Sequence, residues 1–251
     1  MVYISGMRTR RHLAGGFVAL TLLLSGCGGG GGNDDQRAGQ ETKRKPDPAA
    51  DKARADRINL TLADLGPGWS VDTSPDDGGE SDEAFDRAFD QALAAKGLAL
   101  SEAKTADADS PDFVKGEDRG ASSSVSIYED ESPAASDFSV TASEDFIAVL
   151  SDVFNKAFQD EFAKDPELRG VTVSPLRFTK VPFPILGQEA FALKGQTTVR
   201  AKGQRVGLYF HVVAVRQDRA VALIFAFNTP REFPTAELQA IATKIAQRMT
   251  P

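Results

Sequence analysis

Among 251 residues there is one cysteine, and histidine is almost as scarce, with two. A lone cysteine excludes an internal disulfide and a thiolate metal cage. Of the two histidines, His12 falls in the first 27 residues, so a chain shortened by that segment keeps only His211. Zinc hydrolases and Cys–His nucleophile systems therefore have little to draw on. Positive charge is also short: 29 Lys+Arg face 36 Asp+Glu, a formal balance of −7. Residues 1–27 carry Arg8, Arg10 and Arg11 and no acid, so their removal takes the balance to −10. A surface of that sign is repelled by phosphate backbones, and no nucleic-acid partner is expected. Ser122-Ser123-Ser124 has no Gly-x-Ser-x-Gly elbow around it. The acid-rich stretches Asp76 to Glu83 and Glu129 to Glu131 lack the alternating ligands and glycine of a calcium loop and read as solvated surface. No cofactor and no metal are expected. Hydrophobic residues still make up 41% of the chain, enough for one substantial core.

What is present is clearest at the start. Arg8, Arg10 and Arg11 precede an apolar run from Leu13 to Leu24. That run is shorter than the ~20 residues of a spanning helix and, with its basic front, has the build of a secretory signal peptide. Thr9-Arg10-Arg11-His12-Leu13 is also a partial twin-arginine motif, and Sec and Tat export stay open. Either Met1 or Met7 could be the start. The exit, Leu24-Ser25-Gly26-Cys27, looks like a bacterial lipobox. That resemblance implies a diacylglyceryl thioether on Cys27, cleavage just before it and N-acylation with palmitate-type chains. Each buried methylene contributes roughly 0.8 kcal/mol, so two or three chains anchor stably. The expected location is the extracytoplasmic face of the cell membrane.

Residues 28–57 follow as an expected disordered linker: five glycines, Gly28 to Gly32, then polar and charged residues including Lys43-Arg44-Lys45. Some thirty such residues as a coil span about 30 Å. A single domain is expected over 58–251, folding alone as a monomer. Its helices are read over 82–96, from Ser132-Pro133 to about Lys164, and from a Thr235 cap onward, with Leu238, Ile241, Ala242 and Ile245 inward. Strands are read at Val125 to Tyr128, Val171 to Val173, Leu176 to Val181, Gln188 to Leu193, Arg205 to Arg216 and Ala220 to Phe227. The last two alternate apolar residues on both faces, which places them centrally in a sheet covered on two sides. The fold class is therefore α+β, a three-layer sandwich with a central, mainly antiparallel sheet.

Leu62-Ala63-Asp64-Leu65-Gly66-Pro67-Gly68-Trp69, and later Leu186-Gly187-Gln188-Glu189-Ala190, resemble phrases of actinobacterial cell-envelope lipoproteins. In element order the region 58–251 is similar to the Lpq-type mycobacterial lipoproteins and to the extracellular sensor domain of PknH-type kinases. The resemblance implies a PsbP-like or related α/β sandwich. The chain departs from those sensors in having no cysteine in the domain, and no kinase domain is expected. The resemblance carries over no catalytic residues.

Within the domain, Trp69 beside Gly68 and His211 between Phe210 and Val212 are the residues that could touch a ligand, although packing explains each as well. Phe183 and Phe191, near two prolines, could line a cleft mouth. The functional expectation is a non-catalytic binding or sensing module, held to the membrane through Cys27, for an envelope lipid, glycan or protein. The alternative is an envelope enzyme using carboxylates on glycan, which needs a groove with two carboxylates about 5–9 Å apart.

Overall fold

A computed structural model describes residues 47–73, 79–164, 170–201 and 203–250. The leader, Cys27 and most of the expected linker lie outside the described residues, as do Asp76, Asp77 and the Asp165-Pro166 helix stop. The elements in order are α1 (Pro48–Ile58), a 3₁₀ turn (Leu62–Asp64), β1 (Ser70–Val71), α2 (Gly79–Ala95), β2 (Lys104–Asp109), β3 (Phe113–Lys115) and β4 (Arg119–Tyr128). Then come α3 (Glu131–Thr141), α4 (Glu144–Lys164), β5 (Thr172–Val173), β6 (Arg177–Val181), β7 (Glu189–Ala201), β8 (Gln204–Gln217), β9 (Ala220–Asn228) and α5 (Thr235–Met249).

The nine strands form one sheet in the order β1-β3-β4-β9-β8-β7-β5, with β2 also on β4 and β6 also on β7. Every described pairing is antiparallel. The β8–β9 hairpin is central because its alternation demands two covers. Val213, Val215, Ala222, Ile224 and Ala226 join a core with Ala55 and Ile58 of α1 and Ile241 and Ile245 of α5. Leu208, Phe210, Val212 and Phe227 point the other way, onto Phe146, Leu150, Phe154 and Phe158 of α4, with Phe89 and Leu93 of α2 beyond. Ala134 and Phe138 of α3 close that second face over Val221 and Leu223. The result is the expected three-layer α+β sandwich. Asp218, at φ 52°, turns the hairpin; aspartate is one of the few residues that enter this region readily.

Four local expectations are corrected. A helix, α1, lies inside the segment read as linker, starting ten residues before the expected domain. Asp47 caps that helix by accepting from the amides of Ala49 (3.1 Å) and Ala50 (3.2 Å), and Pro48 opens it. Its buried residues, Asp51, Ala55 and Ile58, follow helical spacing, but one is charged and one small, so the stripe does not read as apolar. The long helix after Pro133 is two helices, interrupted at Ala142–Ser143. Thr235 is not a cap: α5 starts on it, Pro234 holds the cap position, and no side chain closes the first turn. Finally, β2 and β3 lie where no element was read, and β4 begins six residues before Val125.

Candidate functional site

His211 and Trp69 come to lie on two sides of the segment joining β9 to α5. His211 is on β8, directly opposite Lys194 of β7 and Ala226 of β9, so it shares the face covered by α1 and α5. Facing cross-strand side chains are close neighbours. Lys194 reaches over to pair with Glu232 in the β9–α5 segment. His211 is only 7% exposed and its Nε2 has no hydrogen-bond partner. Burial pushes the imidazole below its ordinary pKa; Glu232 opposes that shift and Lys194 adds to it. The ring is therefore neutral at pH 7 and keeps a free ring nitrogen beside an ion pair.

Trp69 is equally covered, at 7%. Its ring lies 6.2 Å from that of Phe233, and its indole N–H donates to Glu237 Oε1 at 3.1 Å. The other oxygen of Glu237 accepts from Arg119 at 3.1 Å, and the Arg119 guanidinium sits 5.9 Å from the Phe233 ring. Trp69 therefore ties the chain before β1 to α5, and this packing leaves little of its ring surface for a ligand. Phe183 packs against the first core, and Phe191 against Phe138 with ring centroids 5.2 Å apart.

Several charged groups at helix and strand ends were not singled out from sequence. Asp51, 2% exposed, receives both terminal nitrogens of Arg219 and the Thr105 hydroxyl (2.6 Å). Burial alone raises its pKa, but these partners together hold the carboxyl below its usual range. Asp64 is half-buried, which raises its pKa, yet Arg248 and Thr61 hold it low. Arg248 also donates to the carbonyls of Ile58 and Asn59, fastening the end of α1 to α5. Asp137 accepts from the Ser101 amide at 2.8 Å, and its second oxygen has no hydrogen-bond partner; burial raises its pKa. Burial, then Asp137, raises the neighbouring Tyr128 phenol. Asp107 and Asp109 sit two apart on β2. Asp107 accepts from Ser126 (2.5 Å) and Lys104 (3.2 Å), while burial and then Asp107 raise the carboxyl of Asp109. Only the alternation in Lys104 to Asp109 hinted at this strand.

At the end of the sheet that carries the β8–β9 turn, the β6–β7 connection is locked in place. Arg216 donates to Glu189 (2.5 Å) and to Gln188 (2.9 Å), and Gln188 accepts from the Asp218 amide at 2.8 Å. Gly187, at φ 63°, backs onto Arg216 so closely that a Cβ there would lie 2.5 Å from its carbonyl oxygen. From Pro182 to Gly187 the connection has no charged residue, and Ile185 is 81% exposed.

Among the described residues no group of three or more His, Cys, Asp or Glu could hold a metal ion. No described helix is long and apolar enough to cross a membrane. No family model matches the chain, and no curated protein matches it. It is similar to a solved structure, the extracellular domain of PknH from Mycobacterium tuberculosis, at 12% identity and a TM-score of 0.38, over 79% of this chain and 95% of that one. A TM-score of that size is too low for the likeness to bear on what the chain does.

Proposed function

We propose that this chain is an extracytoplasmic lipoprotein, anchored by acyl groups on Cys27, whose domain binds an envelope lipid, glycan or protein without catalysing a reaction. The observation that supports it most is positional: the one cysteine in 251 residues stands directly after a short apolar run and the small pair Ser25-Gly26. The described structure is compatible with binding. The His211 ring nitrogen is itself buried, so the partly exposed Lys194–Glu232 pair over it is what a ligand could reach for hydrogen bonding. The carboxylates Asp51 and Asp64 are engaged with arginines that hold the fold together.

The test begins with the intact mass of the protein from its own host. The reading requires acylation on Cys27, and Cys27→Ala must either release the domain from membranes or leave the precursor uncut. A variant that fractionates and migrates like the parent overturns it. Native mass spectrometry of the domain then identifies any lipid or sugar that stays bound. The second reading, a carboxylate enzyme on glycan, draws on Asp107 and Asp109, two apart on β2. Glycan turnover abolished in Asp109→Asn would favour it.

A further inference from the structure

We propose that the Pro182–Leu186 tip is a membrane-contact element that seats the domain on the lipid surface to which Cys27 is anchored, an inference that rests on the lipoprotein reading above. The argument starts with direction. Asp51, in the first turn of α1, binds Arg219 in the β8–β9 turn, and Thr105 at the start of β2 binds the same carboxylate. By the other end of α1, Leu60 has reached Ser123 in mid-β4. The described chain therefore begins at the β8–β9 turn end of the sheet. The β6–β7 connection is held at that same end by Gln188 and Arg216. Nineteen residues lie between Cys27 and Asp47. Even at full extension that length of chain reaches no more than ~70 Å. An acyl anchor on Cys27 thus keeps this end of the domain, rather than the Gly116–Asp118 end, near the bilayer.

The tip has the chemistry for that neighbour. Pro182, Pro184 and Ile185 are exposed, and Phe183 and Leu186 are half-buried with their inner sides on the core. Ile185, 81% exposed, far exceeds the other exposed large hydrophobics described, Leu62 (43%) and Val71 (40%). Two prolines fix the backbone on either side of Phe183, and Gly187 is pinned against Arg216, so apolar side chains are presented on a stiff support. The five residues of the tip carry no charge, and Lys180 and Glu189 flank them with opposite signs. Contact by such a tip is driven by apolar burial. It requires neither anionic lipid nor low salt.

The experiment uses the mature, acylated protein reconstituted in phosphatidylcholine vesicles. Acylation consumes the Cys27 sulfur, so Ile185→Cys introduces the one reactive thiol, which takes an environment-sensitive fluorophore; Glu117→Cys, at the far end of the sheet, is the matched control. Ile185 is exposed, so the change leaves the fold intact. The expected result is blue-shifted emission and quenching by bromolipid at 185, none at 117, both unchanged in 0.5 M salt (an experimental setting, on the order of a Debye length of 4 Å). An equally water-like probe at both positions on an acylated chain overturns the docking and leaves the lipoprotein reading standing. So does a shift that salt abolishes, or one that appears only when another protein is added. An unmodified Cys27 by mass overturns both.

Discussion

At the scale of single residues, the polar groups that matter most are those buried without full compensation. His211 is one. Its pKa is lowered in the fold, so between the folded value and the ordinary ~6.5 the unfolded chain binds the extra proton and the native state does not. Stability therefore rises with pH through that window and is lost as the solution is acidified below about 6.5. In His211→Leu the orphaned nitrogen disappears, so the variant is expected to match or exceed the parent at pH 7 and to lose the upper acid-sensitive step. Urea unfolding followed by the emission of Trp69, the one tryptophan of the chain, checks both; an unchanged pH profile refutes the account. Asp51 works at lower pH and with the opposite requirement. Its folded pKa is depressed, so its contribution is present above ~3.9 and lost as pH falls through the folded value. Asp51→Asn breaks a buried pair and leaves Arg219 without its carboxylate, an expected cost of about 3 kcal/mol at pH 7, or roughly 6–12 °C in Tm. The difference from the parent must shrink below about pH 4.

At the scale of elements, α4 is joined to the sheet by more than its phenylalanines. Asn155 donates to the Leu176 carbonyl (2.8 Å) and accepts from the Leu176 amide (2.7 Å), while Ser151 accepts from the Phe178 amide at 3.1 Å. One side chain thus satisfies both backbone groups of a residue that is fully buried. Asn155→Ala leaves that amide and carbonyl without partners and is expected to cost ~2–4 kcal/mol. Lys156→Ala on the same helix removes an exposed pair with Asp160 and should cost less than about 0.5 kcal/mol. Equal denaturant midpoints for the two variants would refute this. Sequence pattern exposed these elements unevenly, for physical reasons. The two-sided alternation of Val206 to Val215 and Val221 to Phe227 is visible because both faces are buried. Lys104 to Asp109 places only small apolar side chains, Ala106 and Ala108, in the core, with Thr105 turned to Asp51, so hydropathy is silent there. The interruption at Ala142–Ser143 leaves the apolar period unbroken on either side. In α1 the start was legible in Asp47-Pro48, but its buried face is written with Asp51, whose partner Arg219 lies 168 residues away.

At the scale of the molecule, that long-range clasp decides where the domain begins. Composition places the boundary at residue 58, since the residues before it are mostly charged or small. The packing puts α1 inside the domain, because it covers β2 and β4. Ala55 and Ile58 are fully buried in the same core as Ile127, Ile224 and Ile245. A chain cut to 58–251 loses the cover over that core, the cap and body of α1, and the carboxylate that neutralises Arg219. Apolar exposure and the broken pair together amount to at least about 5 kcal/mol. Domains of this size are stable by roughly 5–15 kcal/mol, so the shortened chain should be largely unfolded or aggregated, whereas 47–251 should unfold cooperatively with Trp69 as reporter. The same reasoning argues against rescue by a separate peptide. A separate peptide of residues 47–58, added in excess, should not restore the fold, because a twelve-residue helix is marginal in water and must lose its own conformational freedom to dock. Circular dichroism and size-exclusion profiles of the two chains decide the matter; a monomeric, cooperatively folding 58–251 would show that α1 is an accessory to the domain rather than part of its core.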